Sequence, residues 1–269
     1  MKKEITILFI PFTGLGKPNY RGDEWFKNRI ELFHKFTLKS LLNQRDKNFV
    51  IWCQFRPEER DNPLVKTIKI PLPHIFTFGG IAFWDDKYAE TENEGLLKRL
   101  NNILPELKEL VGRKNVKLVN LASDDMYAKD VIENINKEEF KEGTALTHRQ
   151  GYIYSYTQDR LAYWKPTTHP PFHTIMMKNE TFLNPSKHFE FIRLVKSHEF
   201  VPIVFKEKEM GGSKYCVVVH DHNISTTFEH LFAQGEIFYE EPKSIILEQF
   251  GIKKKTGKEY NFNNLSEEV

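Results

Sequence analysis

The sequence predicts an α/β domain with a mostly parallel, GT-A or Rossmann-like central sheet flanked by helices, and a smaller antiparallel portion in the C-terminal half. Three observations carry that expectation. The runs "ITILFIPF" (5–12) and "FVIWCQF" (49–55) are apolar nearly throughout, as parallel strands covered on both faces are. Between them apolar residues recur at Phe26, Ile30, Phe33, Leu38, Leu41 and Leu42, the spacing of a long helix ending near Gln44. A third strand, "VKLVNLA", follows a second helical stretch, so strand and helix alternate in the order that builds a parallel sheet.

Each element has a local reason. "FTGLGKPNYRGD" holds three glycines and a proline and breaks all periodicity, so it reads as the loop after the first strand. Residues 56–91 contain several prolines and "TFGG", which predicts irregular structure with one short strand at 65–70. "LLKRLNNILPELKELV" has helical spacing, and Pro105 is expected to kink or divide it. The third strand is expected to end at Asp124 and to be followed by a helix from Ala128 to Ile135. The second half changes character: "GYIYSYTQDRLAYWKP" and "PFHTIMMKNETF" read as antiparallel strands, 185–198 as a helix, and "KYCVVVHDHN" as another strand. The predicted organisation is one domain over 1–252, with a nucleotide-sugar-binding half at 1–135 and an acceptor-binding half at 136–252, and a polar tail at 253–269. There is no internal repeat.

Composition excludes several classes. The chain of 269 residues has 39 Lys plus Arg against 37 Asp plus Glu, a balance that supplies no net field for nucleic acid or an anionic membrane. Cys53 and Cys216 each sit inside an apolar run, where a thiol packs well and reacts little. That argues against a disulfide framework and for a reducing, cytoplasmic setting. The N-terminal apolar run is too short to span a membrane and lacks a small-residue cleavage site, so no transmembrane segment is expected.

The polar residues at the strand ends carry the chemistry. Ligands of open α/β sheets bind in the crevice beyond the carboxyl ends of the strands, and Asp124 and Asp125 stand at such an end. Adjacent carboxylates repel unless they are solvated or neutralised by a cation, and a divalent ion held by one or two carboxylates plus substrate phosphates meets that need. A helix opening near Ala128 would add favourable amide dipoles. The alternative is that one Asp caps that helix and the other is a solvated turn residue. A second polar group, His220, Asp221, His222 and Asn223, ends the strand "YCVVVHDHN". His220 and His222 share a face of an extended chain, and imidazole ligates Mn²⁺ alongside oxygen donors.

Taken together, "WFKNRIELFHKFTLKSLLNQRDKNFVIW", "LASDDMY" and "VVVHDHNIST" resemble the corresponding segments of GT-A type glycosyltransferases, and more narrowly of the rhamnosyltransferase family. The resemblance runs from the first strand to about Phe228. It implies a nucleoside-diphosphate-sugar donor, a divalent ion (Mn²⁺ or Mg²⁺) on its diphosphate, and transfer of the sugar to a hydroxyl of a glycan or other acceptor. It implies Asp124 and Asp125 as the Asp-x-Asp-type element and His220 as the downstream metal ligand. Donor contacts would come from Phe12, Thr13, Arg21, Arg29, Gln54, Ser123 and Asp124. Two departures stand out: Ala122 replaces the Asp that often opens the acidic motif, and Gln54 and Arg56 stand where an Asp commonly meets the base or ribose.

Lys17 and Arg21 could add charge over the phosphates or be solvated loop cations. An inverting transfer needs a general base near the acceptor hydroxyl. Glu180 is the first candidate because it lies just beyond a strand, with Asp159 and Glu190 behind it. Tyr152, Tyr154 and Tyr156 alternate, so they form either a sugar-stacking ridge or a packed strand face. Competing functions are a metal-dependent nucleotidyltransferase or phosphohydrolase, and a catalytically silent carbohydrate-binding relative.

Overall fold

The computed structural model describes residues 3–13, 22–79, 92–187, 198–221, 223, 227–230 and 243–253, with backbone alone for 92–100. In chain order the strands are β1 (Glu4–Pro11), β2 (Val50–Phe55), β3 (His74–Phe78), β4 (Asn115–Asn120), β5 (Met126–Tyr127), β6 (Thr144–Thr147), β7 (Gly151–Ser155), β8 (Arg160–Trp164), β9 (His173–Met177), β10 (Lys206–Glu209) and β11 (Tyr215–Val219). Those described form two sheets. The larger has seven strands in the order β10-β6-β9-β4-β1-β2-β3, and the smaller has four, β5-β11-β7-β8.

In the large sheet β4, β1, β2 and β3 run parallel, whereas β9 is antiparallel to both β4 and β6. The expected α/β, mostly parallel architecture is therefore present, with the smaller sheet as its C-terminal companion. Its first strands are buried on both faces. Ile7, Trp52, Val116 and Leu118 pack on one side with Ile103, Leu107 and Val111 of helix α3. Leu8, Ile10, Cys53 and Val119 pack on the other with the aromatic side chains of the N-terminal helix. Full burial of each such side chain stabilises the fold by about 1.5–3 kcal/mol, which explains why these strands cannot alternate polar and apolar residues.

The N-terminal helix is continuous but not uniform: α1 (Asp23–Leu32) passes through a π-helical turn at Phe33–Thr37 into α2 (Leu38–Leu42). Its buried face carries Phe26, Ile30, Phe33, Leu38 and Leu41, as the apolar spacing predicts, together with Phe36, whereas Leu42 is exposed. Helix α3 (Glu92–Val111) runs through Pro105 without dividing in two.

Two local expectations fail. The strand expected at 65–70 is a 3-10 turn at Val65–Thr67, and the third parallel strand is β3, further on. Prolines on either side confine the apolar residues Val65, Ile68 and Ile70 to a folded turn that still buries them. The helix expected from Ala128 begins only at Val131, as α4 (Val131–Lys137), because Met126 and Tyr127 first pair with Cys216 and Tyr215 in β5 and β11. The end of α4 is fastened by Lys117 of β4, only 1% exposed, whose ammonium donates to the carbonyls of Ile135 and Glu138 at 3.1 and 2.6 Å and pairs with Glu4 at 3.1 Å.

Candidate active site

The chain leaves β4 at its carboxyl edge, turns through Asp124 and Asp125, and crosses into the smaller sheet as β5. The acidic turn is thus the hinge between the two sheets. β11 runs beside β5 and delivers His220 one residue past its end, so the two polar strand ends singled out in the sequence meet. His220 Nε2 lies 3.0 Å from Asp124 Oδ2, and both residues are buried. Arg29, on the buried face of α1, forms an ion pair with the same oxygen, and its guanidinium stands 5.1 Å from the centre of the Trp25 ring. Asp125 turns elsewhere: its Oδ1 accepts the Val218 backbone N–H at 3.0 Å.

The surroundings fix this geometry. Gln44, 2% exposed at the end of the N-terminal helix, donates to the carbonyl of Ala128 at 2.9 Å and accepts the Ile132 N–H at 3.1 Å. Ser40 Oγ accepts the Tyr127 N–H at 3.4 Å. The helix therefore holds the acidic turn from its exit, while Arg29 holds it from within. Asn223 accepts the His220 backbone N–H and donates to the Val218 carbonyl at 3.3 Å, closing the turn after β11. Ser40 and Gln44 are buried polar groups on the face that also buries Phe33, Phe36 and Leu41, a placement the sequence reading did not include.

The two carboxyls titrate in opposite directions. Burial alone would raise Asp124, but the Arg29 charge and the His220 contact outweigh it and hold this carboxyl below its ordinary range. Burial and the neighbouring Asp124 charge push Asp125 well above the ordinary range, with the Val218 N–H opposing in part. One member of the pair is thus a fixed anion and the other favours its neutral form. The favourable positive potential expected from a helix opening at Ala128 comes instead from the Arg29 guanidinium.

The donor set can be tested for a divalent ion. Cis ligands of an octahedral ion at about 2.1 Å stand about 3 Å apart, which fits Asp124 Oδ2 and His220 Nε2. Among the described residues, however, no three His, Cys, Asp or Glu side chains converge in a metal-holding group. Asp124 and His220 would supply the protein ligands, and phosphate or water oxygens the rest. Because Arg29 already neutralises Asp124, a dication is stable there only beside an anionic ligand.

The other expected site residues divide. At the edge of β1 and β2, Gln54 Nε2 and Arg56 Nε are buried and have no hydrogen-bond partner among the described residues. Thr13 is committed: its hydroxyl bonds Glu59, and the Arg56 N–H donates to it at 3.2 Å. Phe12 is a core residue whose ring packs on Phe26, Phe33 and Phe55, so its side chain is not a donor contact. Ser123 is buried beside Asp124. Lys17, Arg21, Glu190 and His222 lie outside the described residues.

Glu180 as the base is overturned. Met177 of β9 pairs with Val116 at the start of β4, so Glu180, in the short helix α5 (Asn179–Phe182), sits at the edge of the sheet opposite Asp124. β9 is antiparallel, as expected for this segment, but it pairs with β4 of the large sheet, a neighbour its sequence did not disclose. Asp159 does lie on the correct edge, since Ser155 of β7 pairs with Val219. Burial would raise its carboxyl, but Lys243 and the Tyr154 hydroxyl outweigh it and hold Asp159 below its ordinary range, an environment that weakens it as a base. Tyr152 and Tyr154 are buried against Phe250 and Phe36, and Tyr156 packs on Phe36 beneath the Lys35 ammonium. Tyr152 and Tyr154 thus belong to a packed strand face, whereas Tyr156, one residue past β7, is 38% exposed.

Comparison with known proteins adds little to this. No family model matches the chain, and no curated protein matches it. Solved structures similar to it include the 4-diphosphocytidyl-2C-methyl-D-erythritol synthase of Anaerococcus prevotii, 12% identical over 86% of this chain and 95% of that one, with a TM-score of 0.36. Mouse xyloside xylosyltransferase 1 is 11% identical over 75% of this chain and 80% of that one, with a TM-score of 0.33. Likeness at that level carries no functional argument. Among the described residues, no helix is long and apolar enough to cross a membrane.

Proposed function

We propose that this chain is a divalent-metal-dependent glycosyltransferase that takes its sugar from a nucleoside-diphosphate donor and passes it to a hydroxyl acceptor. The observation that carries the reading is the meeting of Asp124, His220 and Arg29 at the junction of the two sheets. Asp124 and His220 would hold Mn²⁺ or Mg²⁺, and such an ion would supply charge stabilisation to a departing nucleoside diphosphate. Arg29 keeps Asp124 ionised and aimed, and Asp125 ties the turn to β11 through Val218. Gln54 Nε2 and Arg56 Nε, which have no partner among the described residues, support a nucleotide on the neighbouring edge, where base or ribose oxygens would accept from them. The resemblance in "LASDDMY" and "VVVHDHNIST" makes rhamnose the first sugar to try.

The test is incubation with a panel of nucleotide sugars, thymidine-diphosphate rhamnose included, in the presence and absence of Mn²⁺. Metal-dependent release of nucleoside diphosphate, slow without acceptor and faster with one, supports the transferase. Phosphate release from simple phosphoesters would instead favour a phosphohydrolase, and formation of nucleotide sugar from nucleoside triphosphate a nucleotidyltransferase.

A further inference from the structure

The edge of the large sheet opposite the acidic turn holds a cavity of about 1010 Å³, at the upper end of the range of small-molecule sites. It lies where β1, β2 and β4 begin, and the six residues of β4 put roughly 20 Å between it and Asp124. Its lining is electrostatically uneven, with six basic side chains and three acidic ones. Two of the three acids are paired with lysines, and the third is hydrogen-bonded to amides. Glu4 pairs with Lys117 at 3.1 Å and Glu133 with Lys137 at 2.5 Å. Asp46 accepts the Asn136 amide and the Asn48 backbone N–H, each at 2.8 Å. A third basic group, Lys47, caps the carbonyls of Leu41 and Leu42 at the end of α2.

That leaves Lys3, Arg45 and Lys114 around one concavity, and among the described residues none of them has an ion pair; Arg45 has only the longer-range field of Asp130. Together with Lys47 and the two paired lysines, they give the lining an excess of three positive charges over Glu4, Asp46 and Glu133, and a multivalent anion is drawn to such an excess. Solvated lysines scattered on a convex face would not need one. From this juxtaposition we propose that the cavity is a second ligand site, for a soluble molecule carrying a diphosphate or two neighbouring phosphates, held by Lys3, Arg45 and Lys114. The site does not depend on the function of the acidic turn, and a ligand there would touch the starts of β1 and β4, the strands whose far ends carry the acidic turn.

Inorganic pyrophosphate titrated into the whole chain by calorimetry, with EDTA present to exclude metal-mediated binding, tests this. The expected result is one-to-one binding that weakens about tenfold or more in the Arg45→Ala/Lys114→Ala double variant, whose replaced side chains are both exposed. Raising NaCl should weaken the wild type far more than the variant. A control, Lys66→Ala/Lys69→Ala, removes the same charge from exposed positions outside the cavity and should leave binding unchanged. No binding by the wild type, undiminished binding by the double variant, or an equal loss in the control would each overturn the proposal.

Discussion

His220 Nε2 and Asp124 Oδ2 lie 3.0 Å apart although 96 residues separate them in the chain. Nothing local to either strand brings them together; the crossing of the chain from β4 into β5, beside β11, does. Arg29 completes the cluster from a third element, and it is the partner that makes a buried Asp124 tolerable. Replacing Arg29 by Met should therefore destabilise the fold by about 3–5 kcal/mol, because it strands a buried carboxylate. Adding Asp124→Asn to that variant should recover part of the loss. Chemical denaturation of the two single variants and the double variant measures the coupling.

Tyr154 stands on the packed strand face with its ring 6.1 Å from that of Phe36 and its hydroxyl 2.9 Å from Asp159 Oδ1. Truncation to Ala should cost about 3–5 kcal/mol, the usual penalty for deleting a large core aromatic. A melting curve for Tyr154→Ala checks this, and an unchanged melting temperature would return the residue to the list of possible sugar contacts.

Gly151 opens β7 where that strand runs closest to Tyr215. A β-carbon there would stand 2.5 Å from the Tyr215 carbonyl oxygen and 2.6 Å from its ring, inside contact distance of groups that cannot swing away. Gly151→Ala should destabilise the smaller sheet by about 1–3 kcal/mol or more, as overpacking does. Thermal unfolding reads it directly.

His173 is buried and held neutral: burial, with His169 and His198 nearby, lowers its pKa from the model-peptide value of 6.5 to about 3. A histidine that is harder to protonate when folded contributes stability that is full above pH 6.5 and is lost as pH falls toward the folded value. Between those limits the unfolded chain binds the extra proton, and the loss approaches about 1.4 kcal/mol per pH unit. Asp125 and Glu59, whose carboxyls burial raises, act in the opposite sense, so the comparison must cancel them. The stability difference between wild type and His173→Gln does so. It should shift against the wild type by about 2 kcal/mol between pH 6.5 and pH 5.

Residue pattern disclosed some of this architecture and concealed the rest for physical reasons. The doubly buried strands β1, β2 and β4 and the helix from Asp23 to Leu42 were legible, because burial on one stripe or both faces leaves a period in the sequence. β10 was not: its residues are "KEKE", an exposed edge strand whose charges deter further pairing and erase any apolar signal. β3 was displaced in the reading because Val65, Ile68 and Ile70 are buried in a turn, and burial alone does not distinguish turn from strand. At the site, the meeting of Asp124 with His220 was anticipated from two strands ending in polar residues. The end of the sheet at which Glu180 falls depends on β9 pairing with β4, a choice of neighbour that residue pattern does not encode. Asp125 was read as a metal ligand; its bond to Val218 depends on a neighbouring strand from 93 residues away.

The central claim is that Asp124 and His220 hold a divalent ion together with a diphosphate. Because Arg29 already balances the Asp124 charge, ion and diphosphate should bind cooperatively and each should raise the affinity for the other by the same factor. Calorimetric titration of Mn²⁺ with and without saturating nucleoside diphosphate measures that factor. The account predicts weak Mn²⁺ binding alone, binding at least about tenfold tighter with the nucleotide than the nucleotide alone can explain, and loss of that gain in His220→Ala protein that still melts cooperatively. Mn²⁺ binding that is equally tight without nucleotide, or a gain that survives His220→Ala, would contradict it.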